Sequence, residues 1–289
     1  MRILLAGARG EVGRTVSAAL ADLGHEVIGV SSRAPLAEDL SAVDLATGIS
    51  LIGAGRIDGV INCAGRGDRR DSERTGRELT ESLRDATTDG EIPGVLISTT
   101  RVLEGHSGSW SDDLAPHATT PYAEANALNE TIWLATNGSG LRVLRITNYF
   151  APPAGPDSPQ ALLLPWSLVT EALAEGTITM RSGPSPVKEF VGASGVAQAA
   201  VELLSAPLGP RTCATAPGLP LSLRELADCC AGAVVDSGRK RPRLSFGPDS
   251  PPGPGTVPGY LASTGWSCDL TAVQMRDTMA SWILQHYAD

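Results

Sequence analysis

Lysine is almost missing from this chain of 289 residues: Lys188 and Lys240 are the two it has, and arginine carries the remaining positive charge. Positive charge as a whole is in deficit, with 23 basic against 32 acidic side chains and a formal net charge of −9. A nucleic-acid binder needs a basic stripe to neutralise phosphates, so no nucleic-acid partner is expected. No apolar run is long enough to span a bilayer, and no membrane partner is expected either. The opening Met-Arg-Ile-Leu-Leu begins like a secretion leader, then runs at once into glycines with no cleavage site, so a cytoplasmic location is expected. The five cysteines, Cys63, Cys213, Cys229, Cys230 and Cys268, offer neither a disulfide framework nor a CxxC metal spacing. They are expected to be reduced packing residues, and no metal is expected.

What the chain does have is concentrated at its start. Residues 2–6 are a short apolar run, the pattern of a buried parallel strand. Gly7, Gly10 and Gly13 follow at GxxGxxG spacing, and Val12, Val16, Ala19, Leu20 and Leu23 then recur at helical intervals. Strand, glycine turn and helix in this order open a dinucleotide-binding βαβ unit. The first glycine permits a tight turn, the second lets backbone approach a pyrophosphate, and the third lets the helix pack closely. Gly7, Arg9, Gly10, Glu11 and Val12 are the expected contacts, with the pyrophosphate on N–H groups at the helix start.

Residues 26–30 read as the second strand, followed by Ser31, Ser32 and Arg33. An acidic residue that would accept from a ribose 2′-OH is absent there. Ser32 and Arg33, helped by Arg9, suit a 2′-phosphate, so NADP(H) is the expected cofactor rather than NAD(H). Residues 42–45 form a short third strand, placing Asp44 and Leu45 where such folds touch adenine. Residues 59–65 form the fourth, ending in the small turn Cys63-Ala64-Gly65 beside the cofactor.

The stretch 66–78 is dense in charges of alternating sign and reads as a solvated loop and helix start. A helix is expected over 79–87, a fifth strand over 94–98, a helix over 122–135 and a sixth strand over 141–146. Strands alternating with helices predict an α/β fold, a Rossmann-type doubly wound parallel sheet. The proline-rich piece 151–159 marks an exit from that sheet. Beyond it the pattern predicts helices near 161–175, 195–205, 222–234 and 270–287, with short strands and a Pro/Gly-rich loop at 247–259 that is a candidate lid. The expected division is a cofactor-binding Rossmann domain over 1–150 and a smaller mixed substrate-binding lobe over 151–289, partly packed back on the sheet.

Several stretches, in order, resemble the extended short-chain dehydrogenases/reductases. Gly7 to Gly13 looks like their glycine motif. Ile97-Ser-Thr-Thr-Arg-Val-Leu-Glu-Gly105 resembles their fifth-strand motif, nearest to the form in dTDP-4-dehydrorhamnose reductases. Pro121-Tyr122-Ala-Glu-Ala-Asn126 sits where the family carries Tyr-x-x-x-Lys, and Glu130 matches the Glu that follows it. Leu141 to Pro152, Lys188 to Val191 and Leu221 to Leu226 are similar to its later motifs. The resemblance implies that Thr99 binds the reacting carbonyl oxygen and that Tyr122 is the acid–base residue. It also exposes a departure: the family lysine is replaced by Asn126, whose amide could still hold ribose hydroxyls.

Without a neighbouring lysine a tyrosine drifts back towards its ordinary pKa of about 10. A neutral phenol can donate a proton to a developing alkoxide but serves poorly as a base, so reduction is expected over oxidation. The expected function is an NADPH-dependent ketoreductase. Its small-molecule substrate would be a ketone of a bulky secondary metabolite, an aromatic polyketide of antibiotic biosynthesis such as an angucyclinone. Protonation would come from Tyr122 and Thr99 or from a phenol hydroxyl of the substrate itself. Two alternatives stand beside it: a reductase of a nucleotide-linked 4-keto-deoxysugar, and a non-catalytic NADP(H)-binding sensor. His106 and His117 are substitute acids if Tyr122 is not the donor. Trp110 and Trp166 are candidates for an aromatic wall, with core or rim packing as the other account.

Overall fold

The computed structural model describes residues 1–30, 42–64, 70–136, 140–207, 212–249, 253–257 and 259–287. In chain order the elements begin with β1 (Arg2–Ala6), α1 (Glu11–Asp22), β2 (Glu26–Val30), β3 (Ala42–Val43), α2 (Leu45–Gly53) and β4 (Gly59–Asn62). They continue with α3 (Arg70–Asp89), β5 (Gly94–Thr99), α4 (Pro121–Trp133), β6 (Leu141–Ile146), β7 (Asn148–Phe150), α5 (Leu164–Glu175), β8 (Thr177–Met180) and β9 (Val187–Gly192). The remainder is α6 (Ala193–Ser205), β10 (Thr212–Ala216), β11 (Leu219–Ser222), α7 (Leu223–Asp236), β12 (Arg243–Phe246), α8 (Tyr260–Ser263) and α9 (Ala272–His286).

Seven strands form one sheet in the order β10-β6-β5-β4-β1-β2-β3, and every pairing in it is parallel. Parallel strands are covered on both faces, which is why β1 reads as an unbroken apolar run, with Ile3, Leu4, Leu5 and Ala6 fully buried. The fold is the expected doubly wound α/β sheet. Its strand order reverses between β1 and β4, and in such sheets ligands bind beyond the carboxyl ends of the strands at that reversal.

The chain forms two compact units that alternate along the sequence. The first, which holds the sheet, is Met1–Thr147, Ala193–Pro217 and Thr256–Ser267. The second is Asn148–Gly192, Gly218–Gly255 and Cys268–Asp289. The first crossing falls beside the expected boundary at 150, but the sheet unit then takes back two later segments. One supplies β10, which pairs with β6 rather than with any neighbour in sequence. The charged stretch expected as a loop and helix start is helical from Arg70 onward.

The second unit carries a three-stranded sheet, β11-β9-β7, and a two-stranded parallel pair, β12-β8. Phe150, Trp166, Phe190, Leu226, Met279 and Trp282 belong to its apolar core. Trp166 is fully buried, stacked on Phe150 at 5.2 Å and edge-on to Trp282 at 5.3 Å. Of the two readings of Trp166, aromatic wall or packing, packing is the one observed: it is a core residue, the usual fate of a large ring on a helix face. All five cysteines are free thiols. No described helix is long and apolar enough to cross a membrane.

Candidate functional site

The site begins at the reversal of strand order. β1 ends at Ala6, and Gly7 turns with φ of +74°, a left-handed conformation that favours glycine. A Cβ on Gly7 would stand 2.9 Å from the Ala64 nitrogen, so the turns after β1 and β4 meet backbone to backbone. The Gly10 N–H donates to the Gly7 carbonyl at 2.8 Å. Gly13 lies over the same turn, where an added Cβ would sit 2.1 Å from the Gly7 oxygen. Gly10 is the N-cap of α1 and offers no side chain to its first turn, whose N–H groups lack intrahelical partners. Glu11 and Val12 are the first two residues of that turn. Such a helix start fits a phosphate. Glu11 brings a like charge to it, and Arg14 lies 3.7 Å from the Glu11 carboxylate to offset that charge.

The β4 side of the cradle is held by a residue that spacing did not single out. Asn62 is fully buried; its Oδ1 accepts from the Ala64 N–H at 2.9 Å, and its Nδ2 donates to Thr80 Oγ1 at 3.1 Å. The Cys63 N–H donates to the Ala6 carbonyl at 3.0 Å, and burial pushes the Cys63 thiol up to about 12. Cys63 is thus a neutral packing group at neutral pH. Arg9 lies in the glycine turn, whereas Ser32, Arg33 and Gly65 lie outside the described residues.

Asp44 and Leu45 have local duties. Asp44 caps α2, accepting from the Thr47 N–H at 2.7 Å, and that backbone bond is the first cause holding its carboxyl below the ordinary range. Leu45 packs against the apolar core of the sheet unit.

The second part of the site lies at the carboxyl end of β5. Thr99 is its last residue and 7 % exposed. Tyr122 is the second residue of α4, after the N-cap Thr120, whose side chain accepts from the Ala123 N–H, and after Pro121, which needs no helical N–H partner. The Thr99 side chain stands near enough to the Tyr122 hydroxyl to pull the phenol pKa down. Two turns on, the buried Glu130 accepts from Ser98 Oγ at 2.6 Å and from Arg145 Nε and Nη2 at 3.1 and 2.8 Å. That network joins α4 to β5 and β6, so both partners of the Thr99–Tyr122 contact stand on elements fixed to one another. Arg145 also donates to the Leu114 carbonyl at 2.8 Å, while Asp112 accepts from the Thr215 and Tyr260 N–H groups at 2.7 Å each. The long loop before α4 is therefore pinned to the sheet unit.

Tyr122 keeps 45 % of its surface open, yet burial around its hydroxyl pushes the phenol above its ordinary range. The side chains of Thr99 and Asn126 and the charge of Arg101 pull the other way without cancelling it. Asn126 is buried, and its Nδ2 donates to the Tyr122 carbonyl at 2.8 Å. It supplies no charge, and part of its donor capacity serves its own helix. His106 and His117 meet edge-on at 5.2 Å, with His106 Nε2 2.8 Å from the Ala115 carbonyl oxygen. Trp110 is half-buried and bridges to Thr256, and its carbonyl accepts from the Val257 N–H at 2.8 Å. The Gly247 N–H donates to the Met180 carbonyl at 2.9 Å.

Residues 3–212 match the profile described as the NAD dependent epimerase/dehydratase family. No curated protein matches the chain by sequence. Among solved structures, the chain is similar to a dTDP-glucose 4,6-dehydratase from Bacillus anthracis in complex with NAD, at 15 % identity and a TM-score of 0.75, over 99 % of this chain and 97 % of that one. It is similar to a UDP-glucuronic acid 4-epimerase from Bacillus cereus in complex with NAD, at 19 % identity and a TM-score of 0.74, over 100 % and 98 % of the two chains. It is also similar to MoeE5 in complex with UDP-glucose and NAD, at 19 % identity and a TM-score of 0.71, over 99 % of each chain.

Proposed function

The chain belongs to the NAD dependent epimerase/dehydratase family, and on that premise we propose that it is a pyridine-nucleotide-dependent oxidoreductase that reduces a carbonyl on a nucleotide-linked sugar. The observation that carries the reading is the contact between Tyr122 and Thr99 at the carboxyl end of β5, with the phenol held above its ordinary pKa by burial. The cradle of Gly7, Gly10 and Gly13 fits a dinucleotide: each glycine meets backbone where a side chain would stand, and α1 opens with no side-chain cap. Gly7, Gly10 and the first-turn N–H groups of Glu11 and Val12 would hold its pyrophosphate. A bound pyridine nucleotide supplies the hydride. The chain's own part is to bind the carbonyl oxygen through Thr99 and Tyr122 and to pass the Tyr122 proton to that oxygen as negative charge builds on it. The reverse reaction needs a phenolate, which burial disfavours, so reduction is the favoured direction.

Two expectations about ligands stand as proposals here. NADP(H) rests on Arg9, Ser32 and Arg33 and on the missing acid after β2, although the similar structures named above hold NAD. The sugar takes precedence over an aromatic polyketide ketone because MoeE5 is held with UDP-glucose and because Trp166, half of the proposed aromatic wall, is core.

The test is oxidation of NADPH and of NADH by the purified protein, followed by absorbance, against nucleotide-linked keto sugars and hydroxylated polycyclic ketones in parallel. Turnover of the sugars supports the proposal. Turnover of the polycyclic ketones alone moves the assignment to a polyketide ketoreductase. Tight cofactor binding with no turnover of either set favours the sensor.

A further inference from the structure

Arg101 belongs to a closed circuit of contacts that ends on the reacting pair. It lies in the short 3-10 turn Thr100–Leu103, directly after Thr99, and its N–H donates to Thr99 Oγ1 at 3.2 Å. Its guanidinium donates to one oxygen of Glu104, Nε at 2.7 Å and Nη2 at 2.6 Å. The other Glu104 oxygen accepts from Thr119 Oγ1 at 2.8 Å and from the Thr119 N–H at 3.3 Å, and the Thr120 side chain also bonds the carboxylate. Thr120 is the N-cap of α4, and Tyr122 follows in its first turn, its hydroxyl within the influence of the Thr99 side chain. Burial pushes the Glu104 carboxyl up, but the bonds from Thr120 and Thr119 and the charge of Arg101 outweigh it and hold the carboxyl below its usual range.

From this geometry we propose that Arg101 is a positioning residue for proton transfer: through Glu104 it fixes the first turn of α4 against the end of β5, and its guanidinium is the positive charge beside which Tyr122 works. Among the described residues bearing on the phenol, Thr99 from β5 and Asn126 from α4 are neutral, and Arg101 is the charged group; Glu104 is its counter-ion. The proposal rests on Tyr122 being the proton donor, and its test is built to fail separately from that reading.

The test is an ultraviolet difference titration of phenolate in the full chain, with the Tyr122→Phe protein as the subtraction that isolates Tyr122 from the other three tyrosines. It needs no turnover. Arg101→Gln removes the positive charge, and the Tyr122 midpoint is expected to move up. Arg101→Lys keeps the charge and is expected to leave the midpoint near that of the parent protein. Glu104→Gln leaves Arg101 without a counter-ion, and the midpoint is expected to move down. A loosened α4 would shift both neutralised variants the same way, so opposite signs separate charge from mere structure. An unchanged midpoint in folded Arg101→Gln, or shifts of like sign in the two, overturns the proposal. If Tyr122→Phe keeps full activity while the midpoints move as stated, Tyr122 is not the donor and the influence of Arg101 on it still stands.

Discussion

At the scale of single residues the site depends on what cannot be larger and what cannot be ionised. An alanine at position 13 would place a methyl 2.1 Å from the Gly7 oxygen. Gly13→Ala is expected to abolish cofactor binding, read by fluorescence titration of NADPH or NADH. Tyr122→Phe is expected to lower kcat/KM by about 10²–10⁴-fold, the range for losing a general acid; near-full activity would point to protonation by the substrate itself. The Cys63 and Cys229 thiols, raised to about 12 and about 11 by burial, are expected to resist alkylation at neutral pH until denaturant is added, which mass spectrometry reads directly. The glycine turn was legible in the sequence because its spacing between one strand and one helix is itself the signal, whereas Thr99 and Tyr122 are implied by the family resemblance. Arg101 and Asn62 were not legible: Arg101 reaches α4 through Glu104, whose other oxygen is held by Thr119, and the Asn62 amide bonds Thr80, so each duty depends on another segment. Asp44 carries a further duty that the sequence also marks, since an Asp before a helix is a favoured N-cap.

At the scale of elements, the contact between α4 and β5 is secured two turns away from the chemistry. Glu130 and Arg145 have side chains 3 % and 2 % exposed, and removing one partner leaves a buried charge unmatched. Glu130→Ala is expected to cost about 3–5 kcal/mol of stability, measured by denaturant unfolding, and to reduce activity as Tyr122 loses its register on Thr99. The start of α7 offers a smaller contrast: Ser222 and Glu225 form a reciprocal capping box. Ser222→Ala is expected to cost about 1 kcal/mol with no change in kcat. Six of the sheet's strands were legible because buried parallel strands read as apolar runs between glycine turns. The seventh, β10, is Thr-Cys-Ala-Thr-Ala, a run of small residues with little apolar signal, and its partner β6 lies far back in the chain.

At the scale of the whole molecule, stability is expected to fall at both ends of the pH range. Asp44, Glu225 and Asp236 have native pKa values below their unfolded ones. Their contribution is present above about pH 4 and is lost as pH drops through the native values. Tyr122, Cys63 and Cys229 are shifted up. Their contribution is present below the unfolded values, about 8.5 for a thiol and about 10 for a phenol, and is lost as pH rises through the native ones. Melting temperature measured across pH is therefore expected to show a plateau between these limits. The alternation of the two units has a further consequence for how the chain is made. During synthesis β6 emerges long before its second neighbour β10, and the last piece of the sheet unit, Thr256–Ser267, arrives near the end of the 289 residues. Until then β6 is an open apolar edge, the kind of surface on which nascent chains pair with one another. Yield of folded protein should thus depend on translation speed and on chaperones that shield that edge, and a gene cut after codon 150 should give inclusion bodies.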